Sequence, residues 1–521
     1  MNDKYKNLDK ILKEAAEKLW AAAGLKPSER TMPVLGLIFL KFADVKFSQV
    51  KKELEGKYSS SRRDPSPDDY QAQGALFIPE EARYSNLVKL PENKSMSEAI
   101  ENAMEQVEKN NETIRGVLPR DYKKISNQLL HTLVRLFNDL PDQIEGDYFG
   151  RVYEYFLGNF AMSEGQKGGE FFTPRSLVKL IVEIIEPYHG RILDPACGSG
   201  GMFVQSAKFI EKHKKDPSKE IAVYGQELID QNVNIAKMNL AVNGLEGDIK
   251  QTDSYKEDLF DSVGKFDYVM ANPPFNGKGV DKDTIKDNPR FKLGMPSTDN
   301  ANYLWIQMFY SALNDKGRAG FVMANSASDA RNSEQEVRKK LIESGAVDVV
   351  VSISPNFFYT VTLPCTLWFF DKGKINTDRK DKVLFIDSRK FYNQIDRAHR
   401  DFSDEHIQFL SDIVRVYRGH EPEYPDNLLF KEHFESKKYK DVKGVCKLTS
   451  FSEIKKQDYS LNPSRYVGVT DKPIDDFDFI ERFEKLNEEL EVLNAEARNL
   501  EEEISNNAKK LLGMNGNDTQ S

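Results

Sequence analysis

The fold is decided by the stretch Arg191-Ile192-Leu193-Asp194-Pro195-Ala196-Cys197-Gly198-Ser199-Gly200-Gly201. It begins as a short apolar strand, turns through closely spaced glycines and opens a helix near Met202. Glycine lets a backbone approach a ligand closely, and the start of a helix offers free N–H groups to an anionic or polar ligand. Alone, such a loop is a weak indicator, because similar loops pack a helix against a strand or bind other nucleotides.

Further short β-like runs follow this stretch, with helical segments between them. The predicted strands are residues 191–193, 221–224, 248–251, 266–270, 319–323, 347–353, 366–370 and 383–386. This alternation is typical of a doubly wound α/β sheet. Ligands bind such a sheet beyond the carboxyl ends of its strands, at the point where the strand order reverses. The residues that follow the first four strands are therefore candidates for a binding site.

Acidic side chains follow the second and third predicted strands. Glu227 ends one strand, at the position where related nucleotide-binding sheets place an acid on ribose hydroxyl groups. Asp253 follows the next strand and can accept a hydrogen bond from an adenine amine. Each has an ordinary alternative, since a lone Glu there is commonly a solvated loop residue and Asp253 is equally suited to capping a helix.

The fourth strand ends in Asn272-Pro273-Pro274-Phe275, called the amide turn below. Its prolines cannot donate to a sheet, so the segment is poor material for a longer strand. The Asn272 side-chain carbonyl and the Pro273 backbone carbonyl can both accept from one exocyclic amine, while Phe275, predicted to be exposed, stacks on the ring. The alternative is a plain turn, since Asn-Pro is an ordinary turn signal. Polar signals after four strands favour a binding site.

Composition indicates a large soluble protein of several domains. The 521 residues contain no run of 18 or more apolar residues and no signal peptide, which predicts a cytoplasmic protein without a membrane span. The 3 cysteines lie far apart and the 7 histidines form no ligand pattern, so no metal site is expected. Residues 473–521 hold 13 acidic and 5 basic side chains, hence −8 of the net charge of −9. The rest is near neutral and neither supports nor excludes contact with phosphates.

The spacing of apolar residues divides the chain into three parts. Helical spacing over residues 5–24, 32–47 and 125–137 predicts a helical N-terminal domain, residues 1–164, with a surface loop at 58–70. The doubly wound domain, residues 165–470, begins at the glycine-rich stretch 165–169. Residues 471–521 carry a heptad seam, which predicts a coiled-coil-type helix for a partner subunit. The alternative is an amphipathic helix that folds onto its own protein.

Further distinctive segments are residues 35–42, 150–157, 170–175, 300–303 and 459–466. With these, the glycine-rich loop and the amide turn, the chain resembles the S-adenosylmethionine-dependent N6-adenine DNA methyltransferases. Within them it is most similar to the modification subunits, HsdM, of type I restriction-modification systems. The segments 170–175 and 459–466 look specific to this subunit, whereas the Asn-Pro-Pro-Phe type also occurs in RNA and protein-amide methyltransferases.

The resemblance implies a Rossmann-like domain that transfers a methyl group from S-adenosyl-L-methionine to N6 of a flipped adenine in DNA. The glycine-rich loop would hold the methionine portion of the cofactor, Glu227 its ribose and Asp253 its adenine. The implied cofactor-binding residues are Glu170, Phe171, Phe172, Thr173, Pro174, Arg175, Asp194, Gly198, Ser199, Gly200, Gly201, Glu227 and Asp253. The implied catalytic residues are Asn272, Pro273, Pro274 and Phe275.

The resemblance also implies partners. These are DNA, a DNA-specificity subunit (HsdS) bound through residues 471–521, a restriction subunit (HsdR), and a second modification subunit in the same complex. Base-specific recognition of the DNA then belongs to the specificity subunit, which accounts for the lack of a basic recognition face on this chain.

Two other functions stay open at this point. One is methylation of RNA or of a protein amide, against which the heptads and residues 459–466 argue. The other is a non-catalytic nucleotide-binding scaffold, disfavoured because residues 198–201 lack the third glycine of G-x-G-x-x-G.

The polar segment 276–300 is a candidate mobile loop that closes over the base or the DNA backbone. A plain surface loop is the alternative. Its basic residues are Lys278, Lys282, Lys286, Arg290 and Lys292.

Overall fold

The computed structural model describes residues 11–15, 17–18, 27–58, 64–140, 173–297, 299–358, 364–396, 399–468 and 504. The chain divides into two compact units, residues 1–468 and 469–521. In the second unit the described residue is Ile504, which is helical and exposed. The rest of the predicted heptad seam, the glycine-rich stretch 165–169 and the segment 150–157 lie outside the described residues.

Helices build the N-terminal part of the first unit. Residues 11–15 and 17–18 are helical. The named helices here are α1 (Pro27–Tyr58), α2 (Pro67–Gln71), α3 (Tyr84–Val88), α4 (Met96–Asn110) and α5 (Asn127–Asn138). Their apolar residues at helical spacing are buried in one core, for example Leu35, Ile38, Ile100, Met104 and Leu133. The prediction of a helical N-terminal region is confirmed, and α1 extends well beyond the predicted 32–47.

The predicted surface loop at residues 58–70 is wrong at its end, where α2 begins. The Ser66 N–H donates to Asp69 Oδ2 over 2.7 Å, and Pro67 takes the first helical position. Tyr70 is buried, and its ring stacks on Phe47 with ring centroids 4.8 Å apart. The polar composition that suggested a loop is the capped start of a helix, followed by an aromatic residue that joins the core.

A nine-stranded sheet forms the centre of the rest of the unit, in the spatial order β11-β8-β6-β7-β5-β4-β1-β2-β3. The strands are β1 (Gly190–Asp194), β2 (Ile221–Glu227), β3 (Gly247–Gln251), β4 (Phe266–Ala271), β5 (Leu313–Ala324), β6 (Val347–Ser352), β7 (Cys365–Asp371), β8 (Lys382–Asp387), β9 (Asn393–Gln394), β10 (Arg400–Asp401) and β11 (Cys446–Ser450). The short strands β9 and β10 pair only with each other.

All the predicted strands are present, and the doubly wound sheet is confirmed. The alternation of strands and helices did not predict the direction of every strand. Strand β7 lies antiparallel between β5 and β6, and β11 lies antiparallel to β8. A parallel neighbour is usually reached through a crossover helix. The described residues between β6 and β7 contain no helix, which is the physical reason for the reversed direction.

Helices cover both faces of this sheet. On one face the core contains residues of α6 (Arg175–Ile185), α7 (Gly201–Lys212), α9 (Asp230–Val242) and α13 (Asp404–Tyr417). On the other face it contains residues of α11 (Asn302–Ala312), α12 (Ser333–Glu343) and α15 (Phe451–Lys456). The remaining helices are α8 (Pro217–Glu220), α10 (Lys282–Ile285) and α14 (Leu428–His433).

Helix α9 joins the sheet to the N-terminal helices. One side of it enters the core of the sheet, and the other side enters the N-terminal core. Next to this helix the backbones of Gly74 and Gly244 meet: a Cβ on Gly244 would lie 2.5 Å from the Gly74 carbonyl oxygen. Lys46 Nζ donates to the Val242 carbonyl over 3.4 Å at the same place. The helical region is therefore fixed beside the β2–β3 edge of the sheet.

Two findings apply to the described part of the chain alone. None of its helices combines the length and the apolar character that a membrane span requires. No three of its His, Cys, Asp or Glu side chains lie together in a way that would hold a metal ion.

Candidate functional site

The predicted site residues lie along one edge of the sheet. Strands β3, β2, β1 and β4 are consecutive and parallel, so their carboxyl ends share this edge. Along it stand Asp253 after β3, Glu227 at the end of β2, the glycine loop (residues 195–201) after β1, and the amide turn after β4. Neighbouring strands are about 4.8 Å apart, so two strand spacings, about 10 Å, separate the ends of β2 and β4. One small ligand can span that distance.

Backbone geometry explains the glycines of the glycine loop. Gly198 has a φ of +50° and Gly200 a φ of +76°, a region that is costly for residues with a Cβ. The Gly200 N–H donates to the Cys197 carbonyl over 2.8 Å, which closes the loop just before α7 begins at Gly201. A Cβ on Gly198 or Gly201 would meet no atom of the described chain within 4 Å. As far as the described residues go, space is thus open where a ligand would contact this backbone.

Two other contacts hold the loop. Ser199 offers its carbonyl to Asn239 Nδ2 over 2.9 Å, which fixes the loop to α9. Asp194 ends β1, is buried, and accepts the Ala196 N–H over 3.0 Å. Burial raises the pKa of the Asp194 carboxyl well above its usual range, and the nearby Glu227 carboxylate adds to the rise. Asp194 therefore holds the turn that opens the loop.

Glu227 connects the glycine loop to the neighbouring strand. Its Oε2 accepts the Gly198 N–H over 2.9 Å, and its Oε1 accepts the Ile229 N–H over 3.0 Å. Asn232 Nδ2 also donates to Oε1, over 3.4 Å. Oε2 therefore keeps a lone pair that can accept a hydroxyl group. The adjacent residue, Leu228, is 61% exposed, an apolar side chain in solvent next to Glu227. Sequence reasoning singled out Glu227 and missed Leu228.

Asp253 stands one strand farther out. Its Oδ1 accepts the Tyr255 N–H over 3.1 Å, and its Oδ2 pairs with Lys256 Nζ at 3.2 Å. The Asp253 side chain is 31% exposed, so part of the carboxylate faces solvent at the sheet edge. The Thr252 N–H donates to the Glu227 carbonyl over 2.8 Å, which fixes the spacing between the two acids.

The amide turn follows a strand whose last three residues are buried. Pro273 is buried, and Asn272, Pro274 and Phe275 are partly exposed. Phe275 is less exposed than expected, because the ring of Phe358 lies roughly perpendicular to it, with centroids 6.0 Å apart and an interplanar angle of 78°. Phe358 follows β6, a strand of the same direction, and sequence reasoning missed it. The contact fixes the tilt of the Phe275 ring while leaving part of the ring exposed.

The segment before α6 reaches the same edge. Glu170, Phe171 and Phe172 lie outside the described residues; Thr173 and Pro174 directly precede Arg175, the first residue of α6. Lys212 Nζ, at the end of α7, bonds Glu183 near the end of α6 over 3.0 Å. The two helices are 11 and 12 residues long, so their first residues, Arg175 and Gly201, lie at the same end. Thr173, Pro174 and Arg175 are therefore on the side of the glycine loop.

The segment 276–300 is packed onto the site. It contains α10 and a 3-10 turn at Pro289–Phe291. Arg290 is 4% exposed, and its guanidinium donates to the carbonyls of Ser254 over 2.7 Å and Tyr255 over 3.0 Å. Arg290, one of the basic residues of the candidate mobile loop, instead holds the segment onto the stretch that carries Asp253. Pro289 and Phe291 beside it were the sequence signals of a packed turn. Three basic side chains of this segment are exposed, those of Lys278, Lys286 and Lys292.

Two segments noticed only as family markers surround the end of β5. Residues 300–303 lead into α11, directly behind the amide turn. Residues 459–466 lie against the turn after β5, where Asp329 accepts from Ser460 Oγ over 2.6 Å and from Asn462 Nδ2 over 3.0 Å. Arg338, 2% exposed, joins the two segments, donating to the Tyr459 carbonyl over 2.7 Å and to the Tyr303 hydroxyl over 3.1 Å. Both segments therefore support the sheet edge next to β4.

Two protein families match this chain. The family described as N-6 DNA Methylase matches residues 144–474, more than half of the chain, and the family described as HsdM N-terminal domain matches residues 8–137. The type I restriction enzyme MjaIX methylase subunit of Methanocaldococcus jannaschii is 38% identical over 508 residues, which cover 93% of this chain and 87% of the relative. The type I restriction enzyme HindI methylase subunit of Haemophilus influenzae is 34% identical over 447 residues, 82% of this chain and 94% of the relative.

A solved structure shares the fold. It is a type I restriction-modification system methyltransferase subunit from Streptococcus thermophilus, with a TM-score of 0.70 at 22% sequence identity. The likeness covers 89% of this chain and 100% of that one.

Proposed function

Because the chain belongs to the family of type I restriction-modification methylase subunits, we propose that its sheet-edge residues transfer a methyl group from S-adenosylmethionine to N6 of a flipped adenine in DNA. The observation that carries the proposal is the strand order. Strand β4, with the amide turn, lies directly beside β1, with the glycine loop, and both acids lie on the other side of β1. A target base at the amide turn is then next to the methionine end of a cofactor that extends toward the acids.

The residues around the glycine loop fit S-adenosylmethionine. The open space over Gly198 and Gly201 allows the methionine portion to lie directly against the backbone, because glycine has no side chain to keep it away. Glu227 has acceptor capacity left for a ribose hydroxyl, and Asp253 for the adenine amine. The exposed side chain of Leu228 offers apolar surface to the adenine ring. The other residues proposed to surround the cofactor are Glu170, Phe171, Phe172, Thr173, Pro174, Arg175, Asp194, Ser199 and Gly200.

Asn272 and Pro273 are proposed to act on the target nitrogen. When bound, the cofactor supplies a methyl group on a sulfonium, which is already a strong donor. The adenine amine is a weak nucleophile, because its lone pair is delocalised into the ring. Two carbonyls that accept both N–H groups favour a pyramidal nitrogen and stabilise the positive charge that develops on it. The surplus proton can then leave to solvent, so no strongly basic side chain is required.

Phe275 is proposed to replace the stacking that the base loses when it leaves the duplex. Stacking of a base on an aromatic side chain contributes roughly 1–3 kcal/mol. The ring has the two properties that this role needs. Its tilt is fixed by the roughly perpendicular ring of Phe358, and Phe275 remains partly exposed.

The proposal includes partners. Outside residues 473–521 the chain is near neutral, so its own charge gives little sequence-independent attraction to DNA. We therefore assign recognition of the DNA sequence to a specificity subunit, HsdS, held by residues 471–521. A restriction subunit, HsdR, and a second modification subunit complete the complex, which acts in the cytoplasm. The division into residues 1–164, 165–470 and 471–521 belongs to the same proposal.

The deciding experiment measures methyl transfer by this chain co-expressed with the specificity subunit from its own operon. Labelled S-adenosylmethionine is supplied with duplex DNA, RNA or protein, and the modified product is identified by mass spectrometry. N6-methyladenine in DNA is expected, and Asn272→Ala should lower the rate at least about 100-fold. The matched control is Asn314→Ala, which removes an amide bonded to Asp267 Oδ1 over 2.8 Å at the opposite end of β4. Methylated RNA or protein as the main product, or an active Asn272→Ala, would contradict the proposal.

A further inference from the structure

Behind the amide turn, two asparagine side chains are bonded to each other. The Asn276 N–H donates to Asn302 Oδ1 over 2.9 Å, and Asn302 Nδ2 donates to Asn276 Oδ1 over 2.9 Å. A backbone N–H can only donate, so the Asn302 atom facing it must be the oxygen, and the Asn302 nitrogen is left for the second bond. Both bonds therefore form in one orientation of the Asn302 amide. This reciprocal pair is called the amide clasp below.

One end of the clasp directly follows the aromatic ring of the amide turn. Asn276 has a φ of +53°, a left-handed conformation that Asn tolerates better than most residues. The backbone reverses here, immediately after Phe275. Whatever fixes Asn276 therefore also fixes the direction in which the chain presents the Phe275 ring.

The other end of the clasp is rigid. Asn302 is 2% exposed and begins α11, and its N–H donates to Asn300 Oδ1 over 2.9 Å. The next residue, Tyr303, donates its hydroxyl to the Ala327 carbonyl over 2.7 Å and accepts from the buried Arg338. A buried amide on the first turn of an anchored helix is held in place on several sides, whereas Asn276 is exposed.

The clasp also closes the segment between its ends. The Ala301 N–H donates to the Gly277 carbonyl over 2.9 Å, and Asn300 Nδ2 donates to Asn276 Oδ1 over 3.0 Å. The two ends of the 25-residue segment between Asn276 and Asn302 are thus held next to each other by these hydrogen bonds. Motion farther along that loop need not reach the amide turn.

We propose that Asn302 is a positioning residue for methyl transfer: through the amide clasp it sets the direction of Phe275 and holds the amide turn in place for the flipped base. This inference rests on the proposed function. Asn302 itself touches neither ligand in this proposal. Its effect should therefore appear in the rate of transfer and not in the affinity for the cofactor, whose proposed residues lie on β1, β2 and β3.

The test uses the complex with the specificity subunit and a duplex containing its recognition site. Asn302→Ala should lower kcat roughly 10- to 100-fold, because a misplacement of about 1 Å can reduce a rate by that factor. The Kd for S-adenosylmethionine, measured by calorimetry, should stay within about twofold of wild type. Asn314→Ala is again the matched control and should leave both quantities unchanged.

A second pair of variants tests the clasp specifically. Asn302→Asp keeps an acceptor for the Asn276 N–H but sets a carboxylate against Asn276 Oδ1. Turning the Asn276 amide to avoid it would place Nδ2 against Asn300 Nδ2, which donates to Oδ1 over 3.0 Å in the native structure, so kcat should fall. Adding Asn276→Gly removes the repelled oxygen and suits the positive φ, so the double variant should recover part of the rate. A merely structural role for Asn302 predicts instead that the affinity for S-adenosylmethionine is lost in parallel with kcat in Asn302→Ala.

Three results would overturn the inference. These are an Asn302→Ala complex with kcat within about twofold of wild type, a parallel loss of cofactor affinity, and the absence of rescue by Asn276→Gly. A wild-type complex that forms no N6-methyladenine would instead refute the proposed function, so the two failures are distinguishable.

Discussion

Replacing Arg290 by methionine tests whether the segment 276–300 is built onto the cofactor side of the site. The buried guanidinium makes two well-formed bonds to the carbonyls of Ser254 and Tyr255, at 2.7 and 3.0 Å. A hydrogen bond from a charged donor contributes about 1.5–3 kcal/mol, so the two together stabilise the fold by about 3–6 kcal/mol. Burial lowers the pKa of the Arg290 guanidinium, because the buried charge loses its hydration. This loss of hydration offsets part of the stabilisation by the hydrogen bonds. We expect a net loss of about 2–3 kcal/mol in the free energy of unfolding.

The loss should also reach the cofactor site, because Ser254 and Tyr255 directly follow Asp253. We expect the Kd for S-adenosylmethionine to rise about tenfold, equivalent to about 1.4 kcal/mol. Unfolding is measured by urea titration with tryptophan fluorescence, for which Trp305 is a local probe, its ring centroid 4.7 Å from that of Tyr255. The control is Lys292→Met in the same segment, where the side chain is exposed and a change within about 0.5 kcal/mol is expected. If Arg290→Met matched this control in both measurements, Arg290 would have no anchoring role.

Two further predictions concern stability. Gly244→Ala should lower the free energy of unfolding by about 2–4 kcal/mol, because its Cβ would lie 2.5 Å from the Gly74 carbonyl oxygen and its φ is +71°. Gly279→Ala, with a φ of +76° and no described atom within 4 Å of the added Cβ, isolates the backbone strain, and an equal loss in both variants in urea titration would exclude the clash. Burial raises the pKa of Asp412 to about 6, although it accepts the N–H groups of Glu423 and Tyr424. An acid with a raised folded-state pKa loses stability as pH rises from about 4 to about 6, so the stability of wild type relative to Asp412→Asn should fall by about 1–2 kcal/mol over that window, and a constant difference would refute the shift.

The elements of the fold were predictable where one local pattern controlled them. Short β-like runs between helical segments predicted strands β1 to β8. Most of these runs are apolar because the strands are buried, whereas β3, Gly247–Gln251, is largely exposed. Strand β11 was missed, since Cys446-Lys447-Leu448-Thr449-Ser450 is short and half polar and becomes a strand only by pairing with β8. The direction of β7 was not predictable either, because it depends on the connection from β6 and not on composition.

The candidate site divides in the same way. Glu227, Asp253 and the amide turn were found because polar residues directly after buried strands must lie at a sheet edge. Phe358 and Arg290 were missed or misjudged, because their partners are distant in sequence: Phe275 in one case, and the carbonyls of Ser254 and Tyr255 in the other. Every residue has a backbone carbonyl, so the sequence does not show which carbonyls an arginine will bond. A buried arginine that donates to carbonyls therefore cannot be distinguished by sequence from an arginine on the surface.

The sequence by itself determined the chemistry of this protein. An amide turn, a glycine loop and two acids after successive strands are local arrangements, and each keeps its chemical character wherever the chain places it. Only the tertiary structure decided their order in space, because β4 pairs with β1 and not with its chain neighbour β3. That pairing sets the amide turn beside the glycine loop. It also left Asn276 and Asn302, 26 residues apart in the chain, facing each other behind the ring of Phe275.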